Sequence, residues 1–131
     1  MMADGSILIV DDNPANLKLV SYLLSSRGYE VHTAVDANQA LALLETLRPR
    51  LILMDIQLPG MDGLTLTRVL KSKPALRGTL IVAVTAFAMK GDQEKAIDAG
   101  CDGYITKPID TRDLPRFVAS LLEGRELGKD A

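Results

Sequence analysis

Three unbroken apolar runs constrain this chain more than any other feature: Ile7-Leu8-Ile9-Val10, Leu51-Ile52-Leu53-Met54 and Leu80-Ile81-Val82-Ala83-Val84. A strand with one wet face alternates polar and apolar residues. Runs without alternation therefore belong to strands covered on both sides, as in the interior of a parallel sheet. Residues 104–106 read as a further short strand, whereas residues 29–35 alternate, with Tyr29, Val31, Thr33 and Val35 on one side, and read as an edge strand.

The segments between the strands carry helix punctuation. Asn13-Pro14 supplies a cap and a first-turn proline for a helix that holds Leu17, Val20 and Leu24 and closes at Gly28. Asp36 caps a second helix with Ala40, Leu43, Leu44 and Leu47 on one face, stopped by Pro49. A third spans about 64–73 ahead of Pro74, and a polar fourth spans about 90–99 and ends at Gly100. The last begins at Asp110 and turns Leu114, Phe117, Val118, Leu121 and Leu122 inward.

Five strands alternating with five helices predict a (βα)5 chain. Right-handed crossovers make it an α/β doubly wound three-layer sandwich around a parallel five-stranded sheet, with expected strand order 2-1-3-4-5. The 131 residues and 47% apolar content suit one domain over 1–131, with a core over about 6–123 and 124–131 as a flexible charged tail. The net charge of −2 lacks the cationic excess of a nucleic-acid binder, and no apolar run reaches membrane-spanning length. With one cysteine and no leader-like segment, the cytoplasm is the expected compartment.

The chemistry sits where the strands end. Asp11 and Asp12 follow the first strand, Asp55 the third, Thr85 the fourth and Lys107 the fifth. Open α/β sheets bind ligands beyond the carboxyl ends of their strands, where the winding reverses. Three carboxylates gathered there repel one another and call for a hard cation, for which Mg²⁺ suits a small carboxylate set with retained waters. The Lys107 ammonium and the Thr85 hydroxyl would each take one oxygen of a phosphoryl group, leaving the Asp55 carboxylate to attack a phosphodonor in line.

Taken singly, these residues have ordinary structural explanations. Asp-Asn-Pro before a helix caps it, and Asp55 ahead of Pro59-Gly60-Met61-Asp62-Gly63 can simply end a strand. His32 reads as a surface residue, Cys101 as a small apolar filler, and the methionines as core filler apart from the terminal Met1 and Met2. The set, one residue type per strand end matched to one reaction, is what carries the reading.

With Ile7-Leu8-Ile9-Val10-Asp11-Asp12-Asn13, Leu53-Met54-Asp55-Ile56-Gln57-Leu58-Pro59-Gly60-Met61-Asp62-Gly63, Val84-Thr85-Ala86 and Lys107-Pro108, the chain resembles the CheY-like response-regulator receiver domains of two-component signalling over about residues 7–122. Through Asn13 to Leu19, Asp55 to Pro59 and Val84 to Asp92 it looks most like the single-domain DivK-type regulators. Receivers within hybrid histidine kinases or multidomain regulators are similar in the same stretches.

The resemblance implies a bacterial signalling switch, not a turnover enzyme, phosphorylated by a sensor histidine kinase or histidine phosphotransfer protein. Asp55 would be the phosphoacceptor. Asp12 would bind Mg²⁺ (or Mn²⁺ in its place) directly and Asp11 through water, with Asp55 and the Gln57 backbone carbonyl completing the ligands. Thr85, Lys107 and the Ala86 N–H would hold the phosphoryl group, and Tyr104 would turn inward as Thr85 moves. Gln57 and Phe87 would tune dephosphorylation, and the Lys107-Pro108 bond is a candidate cis peptide.

The resemblance also implies an output face of the fourth helix, fifth strand and fifth helix, an unnamed protein target, and a monomer or weak phosphorylation-linked dimer. An aspartyl-nucleophile phosphohydrolase would want a second Asp where Gln57 stands, and a flavodoxin-like binder would want a Gly- and hydroxyl-rich loop where Asp11-Asp12 stand.

Overall fold

The computed structural model describes residues 5–85, 90–107 and 109–127. Its elements run β1 (Ser6–Val10), α1 (Pro14–Ser25), β2 (Glu30–Ala34), α2 (Ala37–Leu43), β3 (Leu51–Asp55), α3 (Gly63–Lys71), a 3₁₀ turn (Pro74–Leu76), β4 (Leu80–Thr85), α4 (Lys90–Ala99), β5 (Gly103–Thr106) and α5 (Asp113–Leu127). The strands form one parallel sheet in the order β2-β1-β3-β4-β5, as the sequence predicts.

The unbroken apolar runs divide by parity. Leu8, Val10, Ile52, Met54, Ile81 and Ala83 join Ala40 of α2, Leu66 and Leu70 of α3 and Ala96 of α4 in one buried cluster. Their neighbours Ile7, Ile9, Leu51, Leu53, Leu80, Val82 and Val84 join Leu17, Val20 and Leu24 of α1 and Leu114, Val118 and Leu122 of α5 in the other. Three layers result, and each fully buried Leu or Ile contributes on the order of 2 kcal/mol over an exposed one. β2 lies at the sheet edge, where its alternation places it.

Capping residues set the helix starts. Asn13 accepts from the Ala15 and Asn16 amides, Asp36 from that of Gln39 and Asp62 from that of Thr65. After α1 the chain reverses through Gly28, whose φ of +95° a side chain would resist.

Four sequence expectations change. α2 stops at Leu43, short of Leu47, and beyond it the Arg48 guanidinium takes the Leu44 and Leu47 carbonyls at 2.6 and 3.0 Å. α3 starts at Gly63 instead of 64, because Asp62 is its cap. α5 continues to Leu127, past Gly124 where the tail was expected, and Asp110 caps the turn leading into it by accepting from the Arg112 and Asp113 amides. Among the methionines, Met54 is fully buried but Met61 is 37% exposed and fills no core.

The remaining single-residue readings stand. Half-buried His32 has its Nε2 2.6 Å from Glu30 Oε2, a local surface pair. Cys101 packs in the first cluster, where burial pushes its thiol up, and Thr67 Oγ1 lies 4.0 Å from its sulfur.

Candidate functional site

Register gathers the site. Val10 pairs with Met54, Asp55 with Val84 and Thr85 with Thr106, so β1, β3, β4 and β5 end along one rim of the sheet. Asp55 is the last residue of β3 and Thr85 the last of β4, while Asp11, Asp12 and Lys107 follow directly on β1 and β5. Residues far apart in sequence thus become neighbours through strand pairing alone.

Asp11, Asp12 and Asp55 each present a carboxylate oxygen within 4.8 Å of the other two. Lys107 Nζ lies 3.1 Å from Asp55 Oδ2 and 3.6 Å from Asp11 Oδ2. Asp55 is 3% exposed and Asp11 5%, whereas Asp12 stands open to solvent. The two buried carboxylates are individually steadied. The Asn13 amide donates to Asp11 Oδ1 at 2.8 Å, and the Gln57 amide donates to Asp55 Oδ1 at 2.9 Å.

Burial pushes the Asp11 carboxyl above its ordinary range. The Asp55 charge adds to that rise, and the Asn13 amide and Lys107 oppose it. A hard divalent cation relieves the same strain more fully than one ammonium. The donor set is all oxygen, open to solvent on the Asp12 side, and fits Mg²⁺ with retained waters.

Thr85 is 2% exposed, and its carbonyl accepts from the Lys107 amide at 2.7 Å, tying the ends of β4 and β5 together. By strand parity Thr85 shares a sheet face with Ala83, the register partner of half-buried Tyr104, which packs against the same cluster. Gln57 is exposed beside Asp55. Ala86, Phe87 and Pro108, and with Pro108 the Lys107-Pro108 peptide, lie outside the described residues.

Two contributors escaped the sequence reading. Asn16 in the first turn of α1 reaches Asp11 Oδ2 with its Nδ2 at 3.4 Å, and its spacing of five from Asp11, just inside a capped helix, was the available signal. Gly63 packs against the backbone of Asp55. A glycine placed straight after a capping aspartate was its signal.

Comparison with known proteins agrees with this geometry. The profile of the response regulator receiver domain matches residues 7–119. The polar-differentiation response regulator DivK of Brucella anthropi is 47% identical over 116 residues, covering 88% of this chain and 92% of that protein. Among solved structures, a CheY-like receiver domain protein from Methanospirillum hungatei superposes with a TM-score of 0.87 at 34% identity, covering 98% of this chain and all of that one. The receiver domain of the sensor histidine kinase PA1611 from Pseudomonas aeruginosa, solved with a magnesium ion coordinated in its active-site cleft, gives 0.83 at 36% identity, covering 92% of this chain and 99% of that one.

Proposed function

This chain belongs to the response regulator receiver domain family, and from that premise we propose that it is a cytoplasmic phosphorylation switch whose acceptor is Asp55. The observation that carries the reading is the pairing of Lys107 Nζ with Asp55 Oδ2 at 3.1 Å, inside a trio of carboxylates within 4.8 Å of one another. Such a site is built around a nucleophilic carboxylate with one fixed cation beside it and an acidic socket for a second.

Asp11, Asp12, Asp55 and the Gln57 carbonyl would hold Mg²⁺, or Mn²⁺ in its place. The ion supplies charge neutralisation for incoming phosphoryl oxygens. The donor is a phosphohistidine of a histidine kinase or phosphotransfer protein. An Asp55 oxygen forms the bond to phosphorus as the bond from phosphorus to the imidazole nitrogen breaks. Lys107 and Thr85 then each hold a phosphoryl oxygen, with the Ala86 amide as a further donor.

Signalling follows from the re-pairing. The phosphoryl group brings close to two negative charges, drawing Lys107 from Asp11 and the Thr85 hydroxyl from its present contacts. Tyr104, a neighbour of Thr85 on the same sheet face, moves inward as that hydroxyl leaves. The change reaches α4, β5 and α5, the face offered to a protein target. α4 suits this role, because Ala96 and Ala99 are its buried side chains among those described, while Ile97 is 60% exposed. Gln57 beside the acceptor, together with Phe87, would set how fast water removes the phosphoryl group, so the chain assists its own dephosphorylation without turning over a metabolite.

Incubation with Mg²⁺ and acetyl phosphate tests the reading. The wild-type chain gains the mass of one phosphoryl group, and Asp55→Asn gains none. Equal labelling of the two proteins sinks it.

A further inference from the structure

The structure assigns to Gly63 a positioning role for the phosphoacceptor: its missing side chain sets how closely α3 approaches the Asp55 peptide, and so where the Asp55 carboxylate is presented. The inference rests on the reading of Asp55 above. Gly63 is not a left-handed glycine, since the positive-φ residues among those described are Gly5, Gly28, Gly60 and Gly100. Backbone conformation therefore does not require glycine at this position. Space does. A Cβ on Gly63 would collide with the carbonyl oxygen of Asp55 and come within 2.8 Å of Ile56 Cα and 2.9 Å of the Asp55 carbonyl carbon. All three are backbone atoms, with no flexible side chain to swing away.

Neither partner in this contact is free to retreat. α3 is anchored on the sheet by Leu66 and Leu70, both fully buried. The end of β3 is held by pairing of Asp55 with Val84 and by the Ile56 amide, which donates to the Val84 carbonyl at 3.0 Å. The Gly63 amide donates to the Ile56 carbonyl at 2.9 Å, closing the intervening loop onto the strand end. Thr67, itself fully buried, donates its hydroxyl to the Gly63 carbonyl at 2.8 Å and pins the glycine from the helix side. Glycine, threonine and the Asp55–Ile56 peptide thus form one stack with no slack. The Gln57 amide that orients Asp55 Oδ1 lies one peptide further along the same loop. A methyl at Gly63 must push either α3 off its apolar seat or the acceptor away from Lys107 and the acidic pair.

The test uses the full chain as wild type, Gly63→Ala, Thr67→Val, Thr67→Ser and Asp55→Asn. Three quantities are read: the Mg²⁺ dissociation constant from amide shifts, the acetyl phosphate labelling rate at saturating Mg²⁺, and the Gln57 amide shift without metal, which reports its bond to Asp55. Gly63→Ala should weaken Mg²⁺ about tenfold, slow labelling at saturating metal by about tenfold or more, and move the Gln57 amide. Loss of the hydroxyl in Thr67→Val should change the same three readouts in the same direction, and Thr67→Ser should restore them.

A folded Gly63→Ala protein with wild-type metal affinity, rate and Gln57 shift overturns the proposal. So does identical behaviour of Thr67→Val and Thr67→Ser, which decides the matter if Gly63→Ala does not fold. Labelling of Asp55→Asn at the wild-type rate would instead remove the acceptor assignment on which the proposal stands.

Discussion

Lys107 Nζ sits 3.1 Å from Asp55 Oδ2, an ion pair that joins the residue after β5 to the last residue of β3. Its side chains are 20% and 3% exposed, so solvent screens it weakly. Without metal this ammonium pairs with both buried carboxylates. Lys107→Met should therefore cost about 2 kcal/mol in the presence of a chelator, measured by urea unfolding. Mg²⁺ should stabilise this variant more than the wild type, because no ammonium then competes for the carboxylates. Equal stability of the two proteins in chelator would count against the pairing.

Asp12 is the exposed member of the trio, and its contribution to metal binding separates from its contribution to folding. With free Mg²⁺ a hundredfold above its dissociation constant, a ligand that binds only the folded state adds about 2.7 kcal/mol. Asp12→Asn should be at least as stable as the wild type in chelator, because it removes one of three mutually repelling carboxylates, yet gain far less from Mg²⁺. Thermal melts with and without the ion read both quantities.

Asp62 gives a pH signature of its own, carried by the cap of α3. The Thr65 amide, and less strongly the Thr65 hydroxyl, hold its carboxyl below the ordinary 3.8. A depressed folded-state value means that the charged cap stabilises the protein above the ordinary value and that this contribution fades as pH falls through the lowered one. Asp62→Ala should cost about 1 kcal/mol at neutral pH. Asp62→Asn keeps an acceptor but does not titrate, so the advantage of the wild type over it should shrink toward zero in acid. A constant gap across pH would contradict the assignment.

At the opposite end of the sheet, Lys71 Nζ donates to the Thr79 carbonyl and to Asp102 Oδ2, both at 2.9 Å, and the same Asp102 oxygen accepts from the Ile81 amide. One carboxylate thus fastens the end of α3, the start of β4 and the turn into β5. Asp102→Ala should destabilise by about 2 kcal/mol, with the labelling rate of the remaining folded protein unchanged. A slowed rate would mean that this fastening reaches the acceptor.

The sheet was readable from sequence because burial on both faces forces continuous apolar runs, and each run became a strand within a residue of its expected limits. The acidic trio and Lys107 were readable for a related reason, since strand ends in a parallel sheet share a rim. What escaped the sequence has two sources. A basic residue just past a helix end commonly takes its last carbonyls, and the reading passed over Arg48 in that role. The glycine directly after the capping Asp62 was a local signal, but only the fold brings the backbone of Asp55 against it. Met61 followed composition in the reading and solvent in the structure.

The strands are unequally covered: every residue of β3 and β4 is buried, and every residue of β5 is only partly so. Amide exchange should accordingly be slowest in the middle of the sheet and quicken toward β5. The lysine paired with Asp55 would then hang from the faster-exchanging margin, and the aspartate from one of the slowest strands. On that layout the nucleophile stays put, and its cationic partner is the piece that can travel.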